Sequence, residues 1–267
     1  MQLFTHMPCI NVMCFVAVWG VTQLHDVVYI VCYHSSTISR FNATTHRRLT
    51  DFDVKGLRWP LDIAACERTS QVYVAELAEC VWRVSSDGTD RKRWLPKSRD
   101  DTFKPHSLSV TSARLLVTSR STNHLTLFDA DGDELIQIQL PDDMEPEHAV
   151  ESPTGTFIVS HSNTELKQYQ VVEVNMGGEV LRQFSGSRLP LLRCPEHIAV
   201  DSHGNILAAD VHNRHILLLD AHLSLCRVII DEHQLNDKPL RLCYKEDKGQ
   251  LLVGLYGGVA VFNVLCR

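Results

Sequence analysis

The chain has 267 residues, 44% of them hydrophobic and 22% charged, which are ordinary globular proportions. A chain this long buries a core without covalent staples, so disorder, collagen, coiled coil and a disulfide-stapled miniprotein are excluded. The 26 Lys and Arg against 32 Asp and Glu give a net charge of −6, which excludes a dedicated DNA binder and disfavours RNA.

From the N-terminus, the apolar run Phe15–Trp19 is short and no basic segment precedes it, so no secretory leader is expected. No run reaches the ~18 apolar residues of a membrane-spanning helix, and no membrane association is expected. Six short apolar strands then recur: Tyr29–Cys32, Val72–Ala75, Leu115–Thr118, Phe157–Ser160, Ile206–Ala209 and Leu251–Gly254. Their third residues are spaced by 43, 43, 42, 49 and 45 positions. Such a period marks a repeat architecture.

Each unit carries the same punctuation. A Pro-x-x-apolar segment precedes the strand at Pro60–Ile63, Pro105–Leu108, Pro146–Ala149, Pro195–Ile198 and Pro239–Leu242. An alternating strand follows, as at Val81–Val84, Leu125–Phe128 and Ile216–Leu219. Turns at Asp87-Gly88, Asp131-Gly132 and Gly177-Gly178 lead to a last strand. Each unit therefore reads as four short antiparallel strands, and no helical periodicity is found. The expected fold is all-β: one domain over 1–267, a six-bladed β-propeller of four-stranded antiparallel blades. The blades are placed at about 15–58, 59–103, 104–144, 145–193, 194–237 and 238–267. The last unit shows three strands, so residues 9–14 are expected to supply its fourth. The ring then closes by pairing the N- and C-terminal segments, which removes a sheet edge.

The fifth unit has the richest motif. It contains Pro195-Glu196-His197-Ile198-Ala199-Val200-Asp201, Gly204-Asn205, Ala208-Ala209-Asp210 and Asn213-Arg214-His215-Ile216. On these residues the chain resembles the NHL-repeat family of six-bladed propellers. The spacing extends the resemblance over nearly the whole chain. Ala75-Glu76 and Thr118-Ser119 depart from the family's Ala-Asp. The resemblance implies that Asp210, Asn213 and Arg214 fix a loop. It also implies a recruiting platform for protein or RNA, as at the C-terminus of tripartite-motif ubiquitin ligases. No RING or B-box spacing occurs, so a ubiquitin-ligase role would be confined to substrate recognition. The family also resembles the propeller of the zinc-dependent peptidyl-amidoglycolate lyase.

Candidate sites follow from the repeat. Asp62, Ser107, His148, His197 and Arg241 share one position at the start of the innermost strands, with Trp19 near the corresponding place in unit one. Such a mixed polar ring suits a solvated channel, a small polar ligand or a purely structural role. His106, His148 and His197 are the candidate metal set, three imidazoles that could hold zinc with an open position for water. That is the alternative reading, a metal-dependent enzyme at the channel mouth with zinc or calcium. No G-x-S-x-G, H-E-x-x-H or P-loop motif supports other hydrolytic chemistry.

The leading expectation is a cytoplasmic, non-catalytic platform without cofactor that binds a protein partner through its loop face. Those loops are 76–79, 119–124, 161–165 and 210–215, with Arg120, Asn123, His124, His161, Asn163 and His212 as contact candidates. Arg91-Lys92-Arg93-Trp94 is a possible RNA patch, or an outer strand guarded by charge. Trp59, Trp82 and Trp94 are expected between blades, and Asp129–Glu134 is read as a hairpin turn despite its likeness to a calcium loop. Nine Cys occur without a CxxC pair, which suggests buried free thiols and a reducing compartment.

Overall fold

In the computed structural model, which describes residues 3–10, 17–77, 80–96, 104–120, 122–166, 168–185 and 192–265, the apolar segments form six four-stranded antiparallel sheets. Strand β1 spans Leu3–Ile10. Blade one is β2 (Val18–Leu24), β3 (Val27–Cys32), β4 (Thr37–Asn42) and β5 (Phe52–Asp53). Blade two is β6 (Pro60–Cys66), β7 (Gln71–Glu76), β8 (Cys80–Ser85) and β9 (Arg91–Leu95). Blade three is β10 (Ser107–Thr111), β11 (Arg114–Ser119), β12 (His124–Phe128) and β13 (Glu134–Gln139). Blade four is β14 (Met144–Glu151), β15 (Phe157–Asn163), β16 (Gln168–Val174) and β17 (Val180–Phe184). Blade five is β18 (Pro195–Val200), β19 (Ile206–Asp210), β20 (His215–Leu219) and β21 (Leu225–Ile230). Blade six is β22 (Arg241–Lys245), β23 (Gln250–Leu255) and β24 (Gly258–Leu265), completed by β1.

The innermost strands β2, β6, β10, β14, β18 and β22 touch in turn and close a ring around a channel. This is the six-bladed propeller that the repeat period predicts. The second strands are buried on both faces, which explains their unbroken apolar runs. The core lies between blades. Tyr29 and Ile38 of blade one, for example, pack on Ile63, Val74 and Trp82 of blade two.

The Pro-x-x-apolar motif now has a cause. Pro60 and Pro195 begin innermost strands and Pro146 sits at a bulge in β14, places where the missing N–H is tolerated. A bulge follows each of them, between Pro60 and Asp62, Pro146 and His148, and Pro195 and His197. The extra residue re-aims the next side chain. Blade one repeats the bulge between Val18 and Gly20. The residue matching Asp62 is therefore Gly20, and Trp19 sits at the bulge position instead.

Hairpins are set by a recurring device. Asp129, Ser152, Asn175, Asp201 and Asp220 each accept the N–H groups of the residues two and four positions on. Asp129–Glu134 is thus a turn whose lead carboxylate is occupied by backbone. At Gly178 the backbone φ is +81°, and a Cβ would fall 1.9 Å from the Gln139 carbonyl oxygen. Only glycine lets this turn of blade four seat on the outer strand of blade three.

The closing strand differs from expectation in position. β1 pairs with β24 from Leu3 opposite Leu265 to Ile10 opposite Val259. It begins at Leu3 and overlaps the expected 9–14 only at residues 9 and 10, and residues 11–14 fall outside the described residues. The chain must cross from the outer edge of blade six to β2, three strand spacings or roughly 14 Å. A strand ending at residue 14 would leave three residues for that crossing, and Ala17 is already held by a bridge to Tyr256. At ~3.5 Å per residue, that path has no slack.

Six described cysteines lie in no disulfide: Cys32, Cys66, Cys80 and Cys194 are buried, Cys243 is half-buried and Cys226 is exposed. Burial pushes the Cys80 and Cys194 thiols up to about 12, with Glu76 and Glu196 beside them adding to the effect. No helix is long and apolar enough to cross a membrane.

Deleting residues 1–10 removes the partner of β24 and exposes an eight-residue strand edge. Such a variant is expected to self-associate with rising concentration, where the intact chain does not. Sedimentation velocity checks this, and equal behaviour of the two chains would refute it.

Candidate functional site

Five blades each aim one side chain at the channel, after a bulge in blades two, four and five and at the first residue of the innermost strand in blades three and six. Asp62, Ser107, His148, His197 and Arg241 all line this ring and all are buried. Asp62 accepts the N–H of Ile63 at 2.8 Å and that of Leu108, in blade three, at 2.8 Å. His148 Nε2 lies 3.3 Å from the Leu108 carbonyl oxygen, and its Nδ1 accepts the N–H of Ile198, in blade five, at 3.4 Å. His197 Nδ1 accepts the N–H of Leu242, in blade six, at 3.4 Å, while its Nε2 faces Asp62 at 3.8 Å. Arg241 donates to the carbonyl oxygens of Trp19 at 2.9 Å, Leu240 at 2.8 Å and Leu61 at 3.1 Å. It also lies 3.7 Å from Asp62 and 3.4 Å from Glu196. These four side chains bridge every junction between neighbouring blades except that of one and two. There Gly20 closes the gap by approach alone, since a Cβ would stand 2.7 Å from the Ile63 nitrogen.

The bonding fixes protonation. A backbone N–H can only donate, so Nδ1 of both imidazoles carries the lone pair and Nε2 carries the proton. Burial pushes His148 well below its ordinary value, and the neighbouring His197 pushes it further. Burial also lowers His197, against the pull of Asp62. Burial alone would raise Asp62, but His197, Arg241 and His148 together hold it at about 2. The centre is therefore a carboxylate and a guanidinium with two neutral, stacked imidazoles whose centroids lie 3.7 Å apart.

The metal set of the sequence reading is not brought together. The donor atoms within 4.8 Å of one another belong to Asp62, His148 and His197. His106 is turned to Glu147 at 3.3 Å, one residue before the ring position that Ser107 holds. The Asp62 cluster does not fit zinc as placed. Its rings are tilted by only 24°, so their in-plane axes run side by side and do not converge. Each ring's single lone pair is already used by a backbone N–H.

Outside the ring lies a charged layer. Arg120 pairs with Glu147 at 2.8 Å and Glu145 at 3.3 Å. Burial would raise Glu147, but His106 and Arg120 hold it below the usual carboxylate range. Other candidates fix loops. Asn163 donates to Asp143 and accepts from the Leu166 N–H, both at 2.7 Å. Asn123 donates to the Asp142 carbonyl, His124 contacts Gln139, and His212 is exposed. Asp210 accepts the N–H of Arg193 at 3.0 Å and a proton of Asn213 at 2.7 Å. Glu76 does the same work in blade two, accepting the Arg58 N–H at 2.8 Å. The departure from Ala-Asp there preserves the contact. His161 holds this slot in blade four, is buried, and has neither ring nitrogen bonded.

Sequence reasoning missed the aromatic strip beside the channel. Trp19 and Tyr33 lie 5.5 Å apart, Tyr33 and His34 4.1 Å, and His34 and Trp59 6.4 Å. Trp59 is 36% exposed, whereas Trp82 and Trp94 are buried between blades as expected. The signal was Tyr33-His34 and Trp59 at matching ends of two units, which only the fold makes neighbours. The basic patch is engaged locally. Arg91 donates to the Asp53 carbonyl at 2.6 Å, Lys92 pairs with Asp90 at 2.9 Å, and Arg93 lies over Trp82 at 5.5 Å.

Arg241→Met leaves the buried Asp62 without its cation, and is expected to cost about 3–5 kcal/mol in urea denaturation. Asp62→Asn in the same chain should recover part of that loss. The histidines set a pH dependence. Both native pKa values lie below the ordinary 6.5, so below pH 6.5 the unfolded chain binds protons that the native state refuses. Their contribution is full above pH 6.5 and is lost as pH falls below it. Asp62 follows only between 3.8 and about 2. Thermal unfolding at pH 7.5, 6 and 5 should show a steeper loss in the intact chain than in His148→Gln/His197→Gln. Parallel curves would contradict this.

No protein-family profile matches the chain, and no curated protein does. Among solved structures it is similar to one titled as a streptogramin B lyase, with a TM-score of 0.69 and 13% identity over 98% of both chains. It is also similar to the WD40 β-propeller domain of Doa1, with a TM-score of 0.67 and 14% identity over 97% of both. At these identities the likeness is one of fold, and the chain is a β-propeller of six four-stranded blades.

Proposed function

We propose that this protein is a non-catalytic, NHL-like platform that binds a protein partner on its loop face. The observation that carries the reading is a continuous apolar strip across blades six, one and two. Tyr256 is 52% exposed, Trp59 36% and Leu77 52%. Tyr256 bridges to Ala17, Tyr33 donates its N–H to Ala17, and Leu77 donates its N–H to Trp59. Tyr33 and His34 fill the interval. Large aromatic groups of this kind are the usual anchors of protein interfaces. Arg120 and Glu145, on the blade three and four side, supply a polar rim. By family resemblance, such a platform suits the substrate-recognition part of a ubiquitin-ligase assembly in the cytoplasm.

The enzyme reading draws on the proximity of Asp62, His148 and His197. The occupied lone pairs weigh against it. RNA binding is weakened because the charges of Arg91, Lys92 and Arg93 are engaged by neighbours.

The test is proximity labelling with the intact chain, Trp59→Ala/Leu77→Glu/Tyr256→Ala, and a rim control, Leu135→Glu/Leu181→Glu. The triple change touches exposed positions and should move stability by no more than about 1 kcal/mol. It is expected to reduce partner recovery about tenfold or more, with the control unchanged. Equal recovery by the folded triple variant would overturn the platform.

A further inference from the structure

The perimeter of blade one carries a segment that neither the channel ring nor the loop strip uses. Between β4 and β5 the connection 43–51 first turns tightly, with Asn42 Oδ1 accepting the N–H groups of Thr44 at 3.1 Å and Thr45 at 2.7 Å. Its second half, Arg47-Arg48-Leu49-Thr50, then returns beside β4. The Asn42 N–H donates to the Arg47 carbonyl oxygen at 2.9 Å, the Leu49 N–H donates to the Arg40 carbonyl oxygen at 2.8 Å, and Arg48 bridges Phe41. The segment is therefore extended at the outer border of its sheet and held along one edge. Arg47, Arg48 and Thr50 are exposed.

The charge pattern here occurs once. Thr50 is the one Ser or Thr of the chain with Lys or Arg at both the second and the third position before it. Protein kinases select substrates by such charge patterns, setting their own carboxylates against the basic side chains. Releasing this segment into a kinase cleft breaks the backbone bonds to Asn42 and Arg40 and no strand of the core.

The structure also provides for the product. Arg40 Nη1 donates to the Thr50 carbonyl oxygen at 3.1 Å, and its guanidinium lies over the Phe52 ring at 4.0 Å. Arg48 Nη2 pairs with Asp51, the next residue, at 2.6 Å. Two guanidinium groups are thus held beside Thr50. A phosphate on its hydroxyl brings three acceptor oxygens and a charge of about −1.5 to −2. That exceeds the single charge of Asp51, so Arg48 turns to the phosphate, while Asp51 keeps the Arg40 N–H at 3.4 Å.

We infer that Thr50 is a phosphorylation site for a kinase that reads arginine two and three residues before its acceptor, and that Arg40 and Arg48 hold the phosphate. The Thr50 hydroxyl oxygen attacks the γ-phosphorus of ATP, and the bond to the β-phosphate oxygen breaks. ADP leaves, and the hydroxyl proton passes to the catalytic Asp of the kinase. The site lies on the perimeter, so it stands or falls independently of the platform.

The probe is the catalytic subunit of cAMP-dependent protein kinase with magnesium and ATP, acting on the intact folded chain and on a synthetic peptide of residues 44–53. Intact mass and peptide mapping are expected to place one phosphate on Thr50 in both. Thr50→Ala abolishes it, and Arg47→Ala, an exposed change, lowers kcat/KM about tenfold or more. Phosphorus NMR then reads the second pKa of the phosphate. It is expected about half a unit lower in the folded chain than in the peptide, the size of an exposed ion pair, and Arg40→Gln and Arg48→Gln should each raise it. Phosphate on the peptide but not on the folded chain, phosphate on another residue instead of Thr50, or a rate unmoved by Arg47→Ala would overturn the site. An equal second pKa in the intact chain and both arginine variants would overturn the pairing.

Discussion

Three blades of this propeller depend on a hydrogen bond that their own sheets cannot make. The innermost strand presents one edge to the channel, and its N–H groups there have no ladder partner. In three blades the answer is a side chain from the blade before. Asp62 takes the Leu108 N–H, His148 that of Ile198, and His197 that of Leu242. In each case the acceptor sits one residue after a bulge and the donor one residue past the matching ring position. Arg241 supplies the reverse service, satisfying carbonyl oxygens of blades one and two from blade six. The ring is thus a set of acceptors and donors chosen by what the adjoining edge lacks.

This requirement explains why the ring is polar yet buried. A buried carboxylate is costly unless compensated, and Asp62 is compensated by two backbone donors and the Arg241 guanidinium. The imidazoles serve as neutral groups that accept on one side and donate on the other, which no aliphatic residue can do. Their stacking then follows from adjacency, since His148 and His197 occupy neighbouring blades at the same level. Three titratable groups close together, so often a sign of catalysis, here follow from satisfying strand edges.

The architecture was legible because a propeller writes its period into the chain. Apolar strands spaced at 43, 43, 42, 49 and 45 residues, each preceded by Pro-x-x-apolar, require no tertiary knowledge to count. The ring residues were legible for the same reason, since position within the repeat implies position in the channel. Three things were not. A bulge adds a residue without changing the motif, so Trp19 was read near the place that Gly20 holds. The closing strand has no internal copy for comparison, so no periodicity marks its register. The aromatic strip joins residues from three units that meet at one end of the fold, and no periodicity marks them.

The ring also divides the molecule. Arg241 lies 5.2 Å from the Trp19 ring on the loop side, while His148 and His197 line a cavity of about 260 Å³ on the opposite, hairpin side. The plug between them is buried, charged at its centre and bonded to the backbone of blades one, two, three, five and six. A ligand on one face therefore communicates with the other only by disturbing bonds that hold the blades together. Breaking a buried charge pair of this kind costs about 3–5 kcal/mol, more than a weak contact of a few atoms returns. The physical consequence is insulation. The same interactions that satisfy the strand edges keep the two faces energetically separate, so a scaffold built this way can carry two unrelated binding surfaces without coupling them.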